Sequence, residues 1–137
     1  MSYKILGKYL SDLNRDFIRY SESKLSQYDL TLNMWRCMMI IENNKSCNLR
    51  DIAKALNVDS AIITRNIKKL EDLKYVIKLK SDNDNRTFDL CLTDKGLDIF
   101  KLLNQYHHKW YEKITNNFNE EEISDLINMI NKLCSNI

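Results

Sequence analysis

The stretch at residues 78–93, "KLKSDNDNRTFDLCLT", decides the fold. Two short alternating runs flank a polar tip. Ile77, Lys78, Leu79 and Lys80 make the first run, and Phe88, Asp89, Leu90, Cys91 and Leu92 the second. Period-two alternation marks half-buried strands, and clusters of Asn, Asp and Ser mark turns. The stretch therefore predicts a β-hairpin whose tip, residues 81–86, ends in Arg86.

Immediately before it stands "NLRDIAKALNVDSAIITRNIKKLEDLKYV". Asn48 is placed to cap a short helix with Asp51 in its first turn. Leu49, Ile52, Ala53 and Leu56 fall at i, i+3, i+4 and i+7, one buried face. Asn57 follows, a residue tolerated in the left-handed turn that stops a helix. Val58 then points inward, and Asp59 is placed to cap a second helix. Ile63, Ile67 and Leu70 form the inner face of that helix. Its outer face carries Ser60, Ala61, Thr64, Arg65, Lys68 and Lys69. Small residues let a helix sit deep in the DNA major groove, Ser, Thr and Arg reach base edges, and lysines neutralise phosphate. By itself this is also the pattern of a helical hairpin with a solvated face.

The hairpin separates the two readings. A helix-turn-helix followed directly by a β-hairpin is a winged helix, whose wing lies beside the recognition helix and reaches the neighbouring minor groove. That groove is narrow and electronegative over A·T tracts and attracts arginine. Arg86 is thus expected to probe the minor groove, with Asp84 steering its guanidinium.

The rest of the chain reads as helices. Leu6, Leu10, Leu13, Phe17 and Tyr20 recur at helical steps over residues 3 to about 26. Thr31 caps a helix carrying Leu32, Trp35, Met38, Met39 and Ile41. Thr93 caps a long helix with Leu97, Phe100, Leu103, Trp110 and Ile114 on its apolar stripe. Asn119 and Glu122 open a last helix, in capping-box fashion, bearing Ile123, Leu126, Ile127, Ile130 and Leu133. No proline and only two glycines interrupt the 137 residues. The fold class is mainly α with a small β-wing (α+β). One domain is expected over residues 1–137: a winged-helix lobe at about 30–93 between dimerisation helices at about 1–27 and 94–137. The stripes of the first and last helices are too long for one small lobe to cover, so a homodimer is expected through Ile123, Ile127 and Ile130.

Three segments, "LTLNMWRCMMII", "LRDIAKALNVDSAIITRNIKKLEDLKYV" and "DNRTFDLCLTDKG", resemble the MarR family of bacterial transcriptional regulators, and the likeness runs over nearly the whole chain. The last segment is the most specific, an Asp-x-Arg wing tip leading through a strand into Leu-Thr-Asp-Lys-Gly. The resemblance implies an obligate homodimer that binds palindromic operators, a repressor being the expected form. It also implies release by a small phenolic ligand or by cysteine oxidation in many relatives. Asp84 and Arg86 fall on the family's wing Asp and minor-groove Arg. Ser60, Ala61, Thr64 and Arg65 fall on its recognition-helix contacts. Asn85 stands where many members carry a second arginine. Lys74 stands where a glycine usually ends the recognition helix, so strain is expected there. No cysteine lies in the N-terminal helix, where the peroxide-sensing subgroup has its reactive thiol.

Other residues carry weaker expectations. Trp35, Met38, Met39, Tyr106 and Trp110 either line a cavity for a small aromatic effector, between lobe and dimer helices, or simply fill the core. Cys47, in a polar turn beside Lys45, is the best redox candidate. Cys37, Cys91 and Cys134 read as packed or incidental. His107 and His108 are adjacent, so on a helix they point about 100° apart and make a poor metal pair. No metal, cofactor or catalytic constellation is expected, and the chain does not read as an enzyme. Net charge is only +2, yet the segment from Arg50 to Arg86 has nine Lys/Arg against six Asp/Glu. No apolar run is long enough for a membrane span, and the N-terminus lacks a signal-peptide block, so a cytoplasmic protein is expected. The competing readings are a thiol-based redox regulator and a winged-helix protein-interaction module that does not touch DNA. An acidic or apolar recognition face would have favoured the module.

Overall fold

The computed structural model describes residues 2–81, 86 and 88–137. The element order is α1 (Tyr3–Leu25), a 3-10 turn (Ser26–Tyr28), α2 (Leu32–Asn43), α3 (Leu49–Leu56), α4 (Ser60–Asp72), β1 (Val76–Lys80), β2 (Phe88–Leu92), α5 (Asp94–Ile114) and α6 (Glu120–Cys134). The caps follow the sequence. Thr31 accepts from the Met34 N–H, Thr93 from Gly96 and Asn119 from Glu122. Asn48 and Asp51 complete a reciprocal capping box on α3. Asp59 holds the N-cap position of α4, but its side chain makes no capping hydrogen bond.

β1 and β2 pair antiparallel, with Val76 opposite Leu92 and Lys80 opposite Phe88. The Leu90 N–H also donates to the Cys47 carbonyl at 2.7 Å, which ties the hairpin to the segment entering α3. α2 runs through the middle of the lobe and packs on α3, α4, β2 and α5. Its Met34, Cys37, Met38 and Ile41 join Ile52, Ile63, Ile67, Leu70, Val76 and Leu90 in one buried core. α1 lies along α5. Only the C-terminal part of α1 is covered: Leu6, Leu10 and Leu13 are exposed, whereas Phe17 packs against the core and Leu25 is fully buried. α6 has no buried residue at all.

A tight joint connects α4 to α5. Lys74 takes φ 65°, the left-handed conformation anticipated at that position. The Lys74 carbonyl accepts from the Thr93 hydroxyl at 2.6 Å, and the Leu73 carbonyl from Lys95 Nζ at 3.0 Å. Gly96 packs so closely on Tyr75 that an added Cβ would sit 2.0 Å from the Tyr75 carbonyl oxygen.

A lysine at positive φ carries about 1–2 kcal/mol of strain, and glycine there gives back about 0.5–1 kcal/mol in backbone entropy. The Lys74 side chain is exposed. Lys74→Gly is therefore expected to stabilise the chain by about 0.5–1 kcal/mol. Urea unfolding at matched protein concentration checks this, as a higher midpoint with an unchanged slope.

Candidate nucleic-acid interface

The turn between α3 and α4 is built from the sequence as anticipated. Asn57 adopts φ 51°, and the Val58 N–H donates back to the Ala53 carbonyl at 3.1 Å. Val58 then packs on the core, and α4 leaves at an angle set by Ile63, Ile67 and Leu70, all essentially buried. The opposite face is open. Ser60, Ala61, Thr64, Arg65, Lys68 and Lys69 are all exposed along one side of α4. The Thr64 hydroxyl donates to the Ser60 carbonyl at 2.9 Å, so its oxygen lone pairs face outward as acceptors. Ile62, 37% exposed, is the apolar member of this face.

The hairpin follows α4 after the Lys74 turn. Arg86 is exposed at its tip and borders a groove of about 300 Å³ that runs to the start of α3. Asp84 and Asn85 lie outside the described residues.

The five aromatic and methionine candidates separate into two groups. Trp35 and Met39 line a groove of about 320 Å³ between α2 and α5, together with Phe100, His107 and Tyr111. Met38 is sealed in the core. The Trp110 indole donates to Asp16 Oδ2 at 2.9 Å and its ring meets Phe17 edge-on. The Tyr106 carbonyl accepts from the Tyr20 hydroxyl at 2.8 Å, and Lys24 Nζ lies 5.0 Å from its ring centre.

His107 is the residue that sequence reasoning undervalued. It is buried, its Nε2 lies 3.0 Å from the Ser21 hydroxyl, and its ring meets that of Trp35 at 4.3 Å. Burial lowers its pKa, which keeps the ring neutral near pH 7. The His107 Nδ1 and Trp35 Nε1 atoms are buried without a hydrogen-bond partner among the described residues. Its place seven residues after Phe100, four after Leu103 and three before Trp110 is the signal that marks it as inward-facing. His108 points outward and pairs with Glu112 at 3.3 Å.

Cys47 departs from expectation. It is 1% exposed rather than open in a polar turn. Burial, helped by the Asp51 and Asp89 charges, pushes its thiol up to about 11. Cys37 is likewise pushed up to about 11 by burial. Neither is the low-pKa, accessible thiolate that redox sensing needs. Exposed apolar residues gather instead on the terminal helices: Ile5, Leu6, Tyr9, Leu10 and Leu13 on α1, and Ile127, Met129, Ile130 and Leu133 on α6. Ile123 is half-buried. No described helix is long and apolar enough to cross a membrane.

Comparison with known proteins bears on the whole arrangement. The family model described as the MarR family matches residues 30–88. The HTH-type transcriptional regulator BilQ of Clostridioides difficile is 32% identical over 127 residues, covering 93% of this chain and 86% of the relative. A MarR transcriptional regulator from Methanosarcina mazei superposes with a TM-score of 0.85 at 22% identity, over 97% of this chain and 96% of its own. A mutant of MarR from E. coli, solved complexed with operator DNA, superposes with a TM-score of 0.78 at 24% identity, over 96% of each chain.

Proposed function

The chain belongs to the MarR family of transcriptional regulators, and on that premise we propose that it binds double-stranded DNA as a homodimer at a palindromic operator and represses transcription there. The observation that carries this reading is the face of α4. Its inner residues are buried, and its six small, polar and basic residues are exposed together on one side, next to a hairpin ending in Arg86. A helix of this composition fits the major groove and a wing arginine fits the flanking minor groove. The operator complex solved for a protein of the same fold supports the same geometry. Footprinting on the DNA upstream of the chain's own gene tests it, and a wild-type protein that protects no site there at low salt would overturn it.

The residues divide by role. Ser60, Ala61, Thr64 and Arg65 read base edges, while Lys68 and Lys69 neutralise phosphate. Arg65→Ala is expected to cost about 1–3 kcal/mol on the specific site and to relax base preference nearby. Lys68→Ala is expected to weaken all sequences alike and to lower the salt slope by about one per subunit. Competition titrations over a salt series separate the two. Equal loss on specific and random DNA for both variants would reject the division.

In the wing, Asp84 steers Arg86 and Arg86 enters the minor groove. Arg86→Ala is expected to weaken binding more on A·T-rich flanks than on G·C-rich ones. Arg86→Lys recovers only part, because a compact ammonium is more strongly hydrated than a guanidinium. An equal response to swapped flanks would reduce the wing to a solvated turn.

A small aromatic effector is proposed for the groove between α2 and α5. Trp35 and His107 both line it, and their Nε1 and Nδ1 atoms are buried with no partner among the described residues, so an occupant whose acceptor opens a way to the indole N–H gains a hydrogen bond there. Binding there acts on α2 and α5 together and so releases the operator. Of the five sequence candidates, Trp35 and Met39 would touch the effector, with Met38, Tyr106 and Trp110 behind or beside them.

A further inference from the structure

The groove at the start of α3 collects positive charge from three separate parts of the chain. Arg50 comes from the first turn of α3, Lys78 from the middle of β1, and Arg86 from the wing tip. Among the described residues, no acidic side chain is part of its lining. Acids at its margin include Glu71, 3.5 Å from Lys78 Nζ, and Asp51, whose carboxylate accepts from the N–H of the lining Asn48 at 3.0 Å. Leu90 and Leu49 supply apolar lining, and Phe88, 50% exposed, stands beside them. The fixed cap of Asn48 and Asp51 and the 2.7 Å bond from Leu90 to Cys47 hold the groove's two sides at a set separation. Like charges converging over a concave, partly apolar surface focus a positive potential. The Asp51 carboxylate in the first turn of α3 offsets part of the positive end of that helix's dipole, so the three cations carry the potential. The exposure of Arg50 and Phe88 suits a polymer laid across the groove better than a small molecule enclosed within it.

We infer that this groove seats one phosphodiester of the operator backbone between Arg50 and Lys78, and so fixes how far the wing enters the minor groove. The inference rests on the DNA-binding reading above and assigns to it two residues, Arg50 and Lys78, on neither α4 nor the wing tip. The seat is adjacent to Arg86, so a phosphate held there lies beside the point where the arginine leaves for the groove floor. Arg50 and Lys78 are positioning residues: they carry no sequence information and set the register of the wing.

Salt titration of the footprinted operator, with wild type, Arg50→Ala, Lys78→Ala and Lys54→Ala, tests the seat. Lys54 is exposed on the same helix and does not line the groove, so it controls for general loss of charge. Each phosphate contact contributes about 0.9 to the slope of log K against log salt, so removing Arg50 from both subunits is expected to lower its magnitude by about 1.8. Lys54→Ala is expected to change it by much less. Replacing backbone phosphates one at a time by uncharged methylphosphonates should reveal one position per half-site that weakens wild type and leaves Arg50→Ala indifferent. Inorganic phosphate at constant ionic strength should not compete with DNA for the wild type. The seat is overturned if wild type binds and neither variant changes the slope, if Lys54→Ala changes it equally, if every methylphosphonate acts alike on both proteins, or if inorganic phosphate competes. A wild type that binds no DNA is a different result and removes the DNA-binding reading itself.

Discussion

Ile130→Glu is expected to convert the protein to a monomer and to lower operator affinity by about 100-fold or more, the usual scale of the gain from linking two binding modules. The argument starts from α6. A 15-residue helix with no buried residue is marginal by itself in water, because nucleation is costly and tertiary packing supplies most helical stability. α6 nevertheless carries Ile127, Ile130 and Leu133 on its surface, and α1 carries Leu6, Leu10 and Leu13, each between 42% and 61% exposed. Burying such side chains stabilises an assembly by about 1.5–3 kcal/mol each when covering is complete. A carboxylate in the same place has to shed water without a partner. Ile130 is exposed and is not a member of the lobe core, so the variant lobe should keep its fold and its circular dichroism. Sedimentation velocity and operator titration on the same sample give the answer. A variant that stays dimeric with undiminished affinity would place the interface elsewhere.

Gly96→Ala is the second large effect. The new methyl would lie 2.0 Å from the Tyr75 carbonyl oxygen and 2.9 Å from its carbonyl carbon, both backbone atoms. Tyr75 has little freedom to retreat. Its N–H donates to Leu70, its carbonyl accepts from the Thr93 N–H, and its hydroxyl donates to the Tyr28 carbonyl. α5 must therefore move away from the end of α4. Overpacking of this kind costs about 1–3 kcal/mol, occasionally more, a large share of the stability of a small domain. Gly7→Ala is the control: nothing lies within 4 Å of the methyl it would add, and alanine in an exposed helix is favoured over glycine by about 1 kcal/mol. Thermal melts should move in opposite directions for the two variants. A Gly96→Ala protein as stable as wild type would mean that the joint yields easily.

Local patterns made the architecture legible. The caps at Thr31, Asn48, Thr93 and Asn119, the Asn57 turn and the two alternating runs each depend on a few neighbouring side chains, and each appears where those neighbours put it. The inner and outer faces of α4 were equally readable, because 3.6-residue periodicity sorts them without knowledge of the partner. What could not be read depends on contacts between distant segments. Cys47 sits among polar neighbours in sequence, yet β2 folds over it through the Leu90 bond and buries it. His107 read only as half of a poor metal pair, and its burial with Ser21 and Trp35 depends on α1 and α2 closing over it. Asp59 had the right residue type for a cap, but its side chain does not reach the first turn. The charged groove drew on α3, β1 and the wing tip, three places whose meeting no local pattern announces.

The joint at Tyr75 and Gly96 also makes α5 a lever. At 1.5 Å per residue its 21 residues span about 31 Å. The carbonyls that end α4 are gripped by Thr93 and Lys95 at one extremity of that span, while Trp110 and Tyr111 stand near the other. A tilt of about 5° pivoted at the far extremity sweeps the gripped end through about 3 Å. In the proposed homodimer two such arms would alter the spacing of their α4 helices by up to twice that amount, against a DNA repeat of about 34–36 Å. Displacements too small to break a single hydrogen bond near Trp110 thus become, at the opposite end, a mismatch of several ångströms with the pitch of the duplex.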